Sequence, residues 1–229
     1  LQCNHGGMEP GYDPHDLLNA TGAERYELLG PITRQQFQQA NPEWVAPLDA
    51  RTRQLLAARM KDFRPKNPTT PNSIGFMWSD YALFNDAPPL GYNTNRMAFV
   101  FGKSPTGYLL RHASRGQAQL HAVFRAHQHS SAPNPMMNRL ITSRGAFRHW
   151  QANDSLRQEN ATPAVLKTLV ETRPVRQVTE GSVWTWNVSP DSVYGRGNRY
   201  AFDTFGLLKT TEQFAQWKVQ VVNVPIDVR

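Results

Sequence analysis

The chain predicts an α/β fold, on three observations. Strand-like segments run into glycine-rich or polar turns at residues 1–7, 74–80 and 120–127, where α/β proteins place functional side chains. Helical patterns separate them, with Leu55, Leu56, Met60 and Phe63 on one stripe. From Val183 onward, short runs alternate at the two-residue period of strands. A length of 229 residues suits one domain, or one domain carrying insertions. With 39% hydrophobic and 19% charged residues, the chain buries a core and does not read as disordered.

Taken in order, residues 1–7 read as the end of a buried strand entering a Gly-Gly turn. Met8 to Thr21 is rich in Pro, Gly, Asp and Asn, hence loop. Ala23 to Gln39 and Ala50 to Phe63 pattern as helices. The Pro65 to Pro71 stretch cannot continue a helix. Ile74 to Trp78 reads as a short strand ending in Ser79-Asp80, Pro105 to Gln117 as a helix, and Leu120 to Arg125 as a strand. Met136 to Trp150 is predicted helical, followed by a polar stretch and a further helical turn from Pro163 to Glu171. Val183 to Val188, Tyr200 to Leu208 and Phe214 to Val224 read as strands, with Trp184 and Trp186 on one buried face and Phe205 to Leu208 in the core. Two insertions are expected, at about 11–73 and 130–176.

Lys and Arg total 25 against 18 Asp and Glu, so an anionic partner fits the balance. These charges are scattered, and no aromatic–basic signature of an RNA-binding module appears, which argues against nucleic acid. A single cysteine, Cys3, forbids an internal disulfide and suits a reducing, cytoplasmic compartment. No apolar run is long enough to span a membrane, so no membrane partner is expected. The N-terminus lacks signal-peptide character and begins at Leu1, so a lost upstream portion, with any targeting information, is expected.

Chemistry concentrates in a few stretches. Cys3-Asn4-His5-Gly6-Gly7 and Phe124-Arg125-Ala126-His127-Gln128-His129 set histidines beside small residues that let a metal ion approach the backbone. Neutral imidazole is a good ligand for Zn, Fe or Mn. Phe76 to Asp80 carries Trp-Ser-Asp, Asn93 to Gly102 carries Asn-Arg followed by Phe-Val-Phe-Gly, and Val188 to Asn198 carries Ser-Pro-Asp. Together these stretches resemble the calcineurin-like metallophosphoesterases, in particular their serine/threonine protein phosphatase branch. The resemblance spans under half of the chain and covers only the later motifs of that family. No Gly-Asp dipeptide and no Gly-Asn-His-Glu occurs.

The resemblance implies a partial calcineurin-like α/β/β/α sandwich with mixed β-sheets, residues 1–229 forming its C-terminal part. It implies a phosphoric-monoester hydrolase in which two metal ions (Mn, Fe or Zn) activate hydroxide. His5 and His127 would bind one metal, and His129 is a further candidate ligand. Arg96 would grip the substrate phosphate, although it sits one residue nearer to Phe99 than the family spacing. Asp80, Tyr194 and Asn198 would lie on the substrate side, with Ser192 standing where the family has its tyrosine. The partner would be a phosphorylated protein or another phosphomonoester. An upstream segment of the same domain would be needed for activity, so the isolated chain is expected to be inactive.

Asp13 and His15 spell a first-motif pair in the wrong order and are set aside, and His112, His121 and His149 read as ordinary structural residues. The 130–176 stretch carries Arg139, Arg144, Arg148, Arg157, Lys167, Arg173 and Arg176 against Asp154, Glu159 and Glu171. It is expected either to cap the site for an acidic partner or to be a solvated insertion. The competing class is a non-catalytic, phosphatase-derived scaffold or subunit binding an acidic or nucleic-acid partner.

Overall fold

A computed structural model of the chain describes residues 1–8, 50, 78–84, 90–93, 98–113, 119–126, 128, 135–150, 162, 171–187 and 202–227. The described residues form an α/β structure with three sheets, two of them mixed. The chain divides into two compact units. Unit one holds residues 1–4, 83–86 and 121–229, and unit two holds residues 5–82 and 87–120. The expected helices at 23–39, within 51–63 and at 163–170 lie outside the described residues.

Unit one is built on a four-stranded sheet in the order β1 (Gln2–Asn4), β5 (Ala122–Arg125), β8 (Ser182–Trp186), β6 (Ala146–Arg148). β1, β5 and β8 run parallel, and β6 is antiparallel to β8. β8 is central, so Val183, Trp184 and Thr185 are fully buried. A strand covered on both faces reads as a continuous apolar run. β1 is only half-buried, and Cys3 is exposed, in place of the buried strand end expected. A second sheet of unit one, in the order β7 (Val175–Gln177), β10 (Lys218–Pro225), β9 (Phe202–Lys209), is antiparallel. Its inner face contributes Val219 and Leu208 to a cluster with Ala122, Val178 and Trp184. Phe124 lies between the indoles, its ring 5.9 Å from Trp184 and 5.5 Å from Trp186.

The helix expected over 136–150 stops early, and the reason is local. α2 covers only Pro135–Thr142. Arg144 N–H donates to Ile141 O at 3.1 Å and Gly145 N–H donates to Leu140 O at 2.8 Å. This hydrogen-bond pair satisfies the last helical carbonyls in a Schellman cap, with Arg144 (φ 58°) in the left-handed region. The chain reverses there and enters β6, while Met137 and Leu140 pack with Leu83, Phe84 and Phe147. Residues 214–216, expected to open the last strand, form instead a 3-10 turn before β10. Phe205 and Leu207, expected in the core, are exposed (53% and 59%) because they occupy the outer face of β9.

Unit two contains a mixed sheet in the order β2 (Asp80–Tyr81), β4 (Ala98–Phe101), β3 (Leu90–Asn93), followed by α1 (Lys103–Ala113). Of the strand expected at 74–78, residues 74–77 lie outside the described residues, Trp78 is helical, and pairing is seen from Asp80. α1 starts two residues before Pro105. That places the proline in the first turn, where its missing N–H costs no helical bond. Thr106 Oγ1 donates to Gly102 O at 2.8 Å.

Candidate functional site

In unit one, the three parallel strands β1, β5 and β8 end at one edge of their sheet. Carboxyl ends of parallel strands are where α/β proteins place their ligands. Asn4 pairs with Arg125, so the residues continuing from these positions are His5 on one strand and Ala126-His127 on its neighbour. Beyond β8 comes Asn187, which leads toward Tyr194 and Asn198. His127, His129, Tyr194 and Asn198 lie outside the described residues.

The edge is braced by buried polar groups. Arg125 is 2% exposed and donates to Ala126 O at 3.1 Å, fixing the backbone that precedes His127. Gln128, two residues on, is also buried. Asn187 is held by its N–H on Gly145 O (2.8 Å) and its Nδ2 on Phe202 O (3.2 Å). Arg125 carries no expected role in the sequence, and its signal there is its place inside the Arg-Ala-His-Gln stretch. At the opposite, amino end of β5, His121 Nδ1 meets Glu180 Oε2 at 2.6 Å and stacks on Phe214. His149 is buried, with Nε2 2.8 Å from Thr185 Oγ1.

In unit two, the His5-Gly6-Gly7 turn meets the Trp78-Ser79-Asp80 stretch. A Cβ on Gly7 would stand 2.7 Å from the Ser79 carbonyl carbon, so only glycine allows this backbone approach. His5 itself is exposed. Ser79 is fully buried, and its Oγ accepts a hydrogen bond from Phe99 N–H at 3.3 Å. Asp80 is half-buried, with Oδ1 accepting from Tyr81 N–H at 2.8 Å.

β2 and β4 are parallel with Asp80 opposite Val100. Ala98, the residue at which the 94–97 connection enters β4, is therefore at the Trp78–Ser79 end of that sheet. Arg96 belongs to this connection and lies outside the described residues. The Gly7 turn, Ser79-Asp80 and the Asn93–Ala98 pair thus gather at one end of one sheet.

Of the basic residues of the 130–176 stretch, expected either to cap the site or to form a solvated insertion, Arg144 and Arg173 are exposed, while Arg157 and Lys167 lie outside the described residues. Arg139 is fully buried, 5.2 Å from the centre of the Phe147 ring, and donates to Arg148 O. Arg176 donates to Ala146 O (2.6 Å), Arg173 O (2.8 Å) and Ser143 O (2.9 Å). Burial lowers its pKa, Glu171 opposes that shift and Arg173 adds to it. Arg148 lies 5.9 Å from the centre of the Trp184 ring and donates to Thr179 Oγ1. These guanidinium groups tie the sheets together through backbone carbonyls and aromatic faces rather than forming a free basic surface.

Among the described residues, no group of three or more His, Cys, Asp or Glu side chains is placed to hold a metal ion. No described helix is long and apolar enough to cross a membrane. No protein-family model matches this chain, and no curated protein is significantly similar to it.

Proposed function

We propose that the chain supplies part of a two-metal phosphoric-monoester hydrolase of the calcineurin-like α/β/β/α type, acting on phosphorylated protein or another phosphomonoester. One observation carries the reading. β1 and β5 are adjacent parallel strands, and each continues from its carboxyl end into a histidine motif. Two further placements support it: the close packing of Gly7 on Ser79, and the position of Ala98, two residues after Arg96, at the Ser79 end of its sheet.

In this reading His5 and His127 give their imidazoles to one cation, and His129 is the candidate to extend that set. The buried Arg125 fixes the chain entering His127 through its bond to Ala126 O. Arg96 offers a planar fork of N–H donors that matches two phosphate oxygens at once, a geometry an ammonium group does not provide. Asp80, Tyr194 and Asn198 border the substrate. Bound divalent metals would lower the pKa of water toward about 7 and offset phosphate charge. Two imidazoles make a weak site, since zinc sites ordinarily take three or four protein ligands. The chain on its own is therefore assigned little or no turnover.

A double-mutant cycle on Mn(II) or Zn(II) affinity tests the assignment. H5A and H127A should each weaken binding by at least about tenfold, and the double variant should bind little more weakly than either one. Additive losses would mean two separate ions, and no loss would remove the metal site. Either result favours a non-catalytic scaffold.

A further inference from the structure

We propose that β9 pairs antiparallel with β9 of a second copy of this chain, about a two-fold axis through Gly206. The pairing does not depend on the hydrolase reading. Among the described residues, β9 is the edge of its three-stranded sheet. The ladder fixes which of its backbone groups point outward. Val178 N–H donates to Trp217 O and Val221 N–H donates to Pro174 O. Odd-numbered residues of β10 therefore bond to the β7 side and even-numbered ones to β9. With Lys218 opposite Lys209, odd residues of β9 bond to β10. Thr204, Gly206 and Leu208 then present their N–H and C=O groups along the outer edge.

The side chains say what fits there. The outer face of β9 reads Asp203, Phe205, Leu207, Lys209, with Phe205 53% and Leu207 59% exposed. The even residues turn inward, where Phe202 and Leu208 join the packed clusters and Gly206 rests on Trp186. Centred on Gly206, antiparallel self-pairing sets each Asp203 against Lys209 of the partner copy and each Phe205 against the partner's Leu207. Sliding the register by two residues either way sets Asp203 against Leu207 or Thr211, so a single register matches unlike charges. The same register places the outward backbone groups of Thr204, Gly206 and Leu208 in hydrogen-bonding positions.

Within one copy, Lys209 stands directly opposite Lys218, a like-charge pair that is unfavourable in a sheet. Neither Asp203 nor Lys209 makes an ion pair among the described residues. An Asp203 from the second copy would relieve the Lys209–Lys218 repulsion. A long apolar edge strand invites pairing unless blocked by charge or proline, and here the end charges select the like strand in reverse.

Sedimentation equilibrium on the full chain tests this. A concentration-dependent dimer is expected, weakened about tenfold by D203K or K209D alone, because each single reversal opposes like charges at both ends of the symmetric pair. The swap D203K/K209D should restore the original affinity. L207K should abolish the dimer with far-ultraviolet circular dichroism unchanged. A chain that stays monomeric at all concentrations, or a dimer that ignores the single reversals or is not restored by the swap, would overturn the proposal.

Discussion

The two sheets of unit one differ in what they cover and what they leave open. The four-stranded sheet has its central strand covered on both faces, with Val183, Trp184 and Thr185 fully buried. Of its parallel members, β5 and β8 are largely covered along their length, and the edge strand β1 is half-buried with Cys3 exposed. The three-stranded sheet buries Val219 and Val221 on one face and exposes Phe205, Leu207 and Val224 on the other. A parallel sheet concentrates its functional possibilities at a carboxyl edge, where the histidine motifs follow. An antiparallel sheet with one free face offers a surface and an edge strand for a partner.

Truncation across the two sheets should give unequal losses. Trp184→Ala removes an indole packed against Phe124 and Arg148 and should cost about 3–5 kcal/mol in urea unfolding. Leu207→Ala, on the open face, should cost under about 0.5 kcal/mol in the monomer. Equal losses would show that the outer face is covered within one copy.

The join between the sheets gives the next largest effect. Arg176 lies on β7 and donates to Ala146 O on β6 and to Ser143 O, so it links the two sheets. Arg176→Ala should cost about 3 kcal/mol, because charged donors to buried carbonyls are lost together. Thermal unfolding would read this as a fall in Tm. Arg176→Lys should recover only part of it, since one ammonium cannot reproduce the guanidinium's divergent bonds. A smaller effect of opposite sign is expected at Arg144, a non-glycine residue with φ 58° at the α2 cap. Arg144→Gly should raise stability by about 1 kcal/mol, by relieving the left-handed backbone. A loss there would mean that the arginine side chain, not the backbone, holds the cap.

The strands were legible where their pattern was strong. The strands expected at Leu120 to Arg125 and Val183 to Val188 are found at Ala122–Arg125 and Ser182–Trp186, because β-branched and aromatic runs fit a covered pleat. Residues 143–150 misled because the apolar period runs on through Phe147 and Trp150. The helix stop is a cap whose left-handed residue is arginine, with glycine one place later, so the usual signal is displaced. Phe205 and Leu207 misled for a different reason. Alternation shows that a strand has two faces but not that the outer one is covered. The basic residues of 130–176 show that charge counts do not locate guanidinium groups, since Arg139 and Arg176 spend theirs on backbone carbonyls. At the candidate site, the passage from a short strand into a bend at His5-Gly6-Gly7 is legible from the glycine pair. The close contact of Gly7 with Ser79 is not, because it joins residues more than seventy positions apart.

The most direct measurement is electron spin-echo envelope modulation on Mn(II) bound to the chain, counting imidazole nitrogens at the ion. The account predicts coupling from both His5 and His127 at a single Mn(II), reduced to one imidazole by either H5A or H127A. A signal from one histidine that is unchanged when the other is replaced would contradict it.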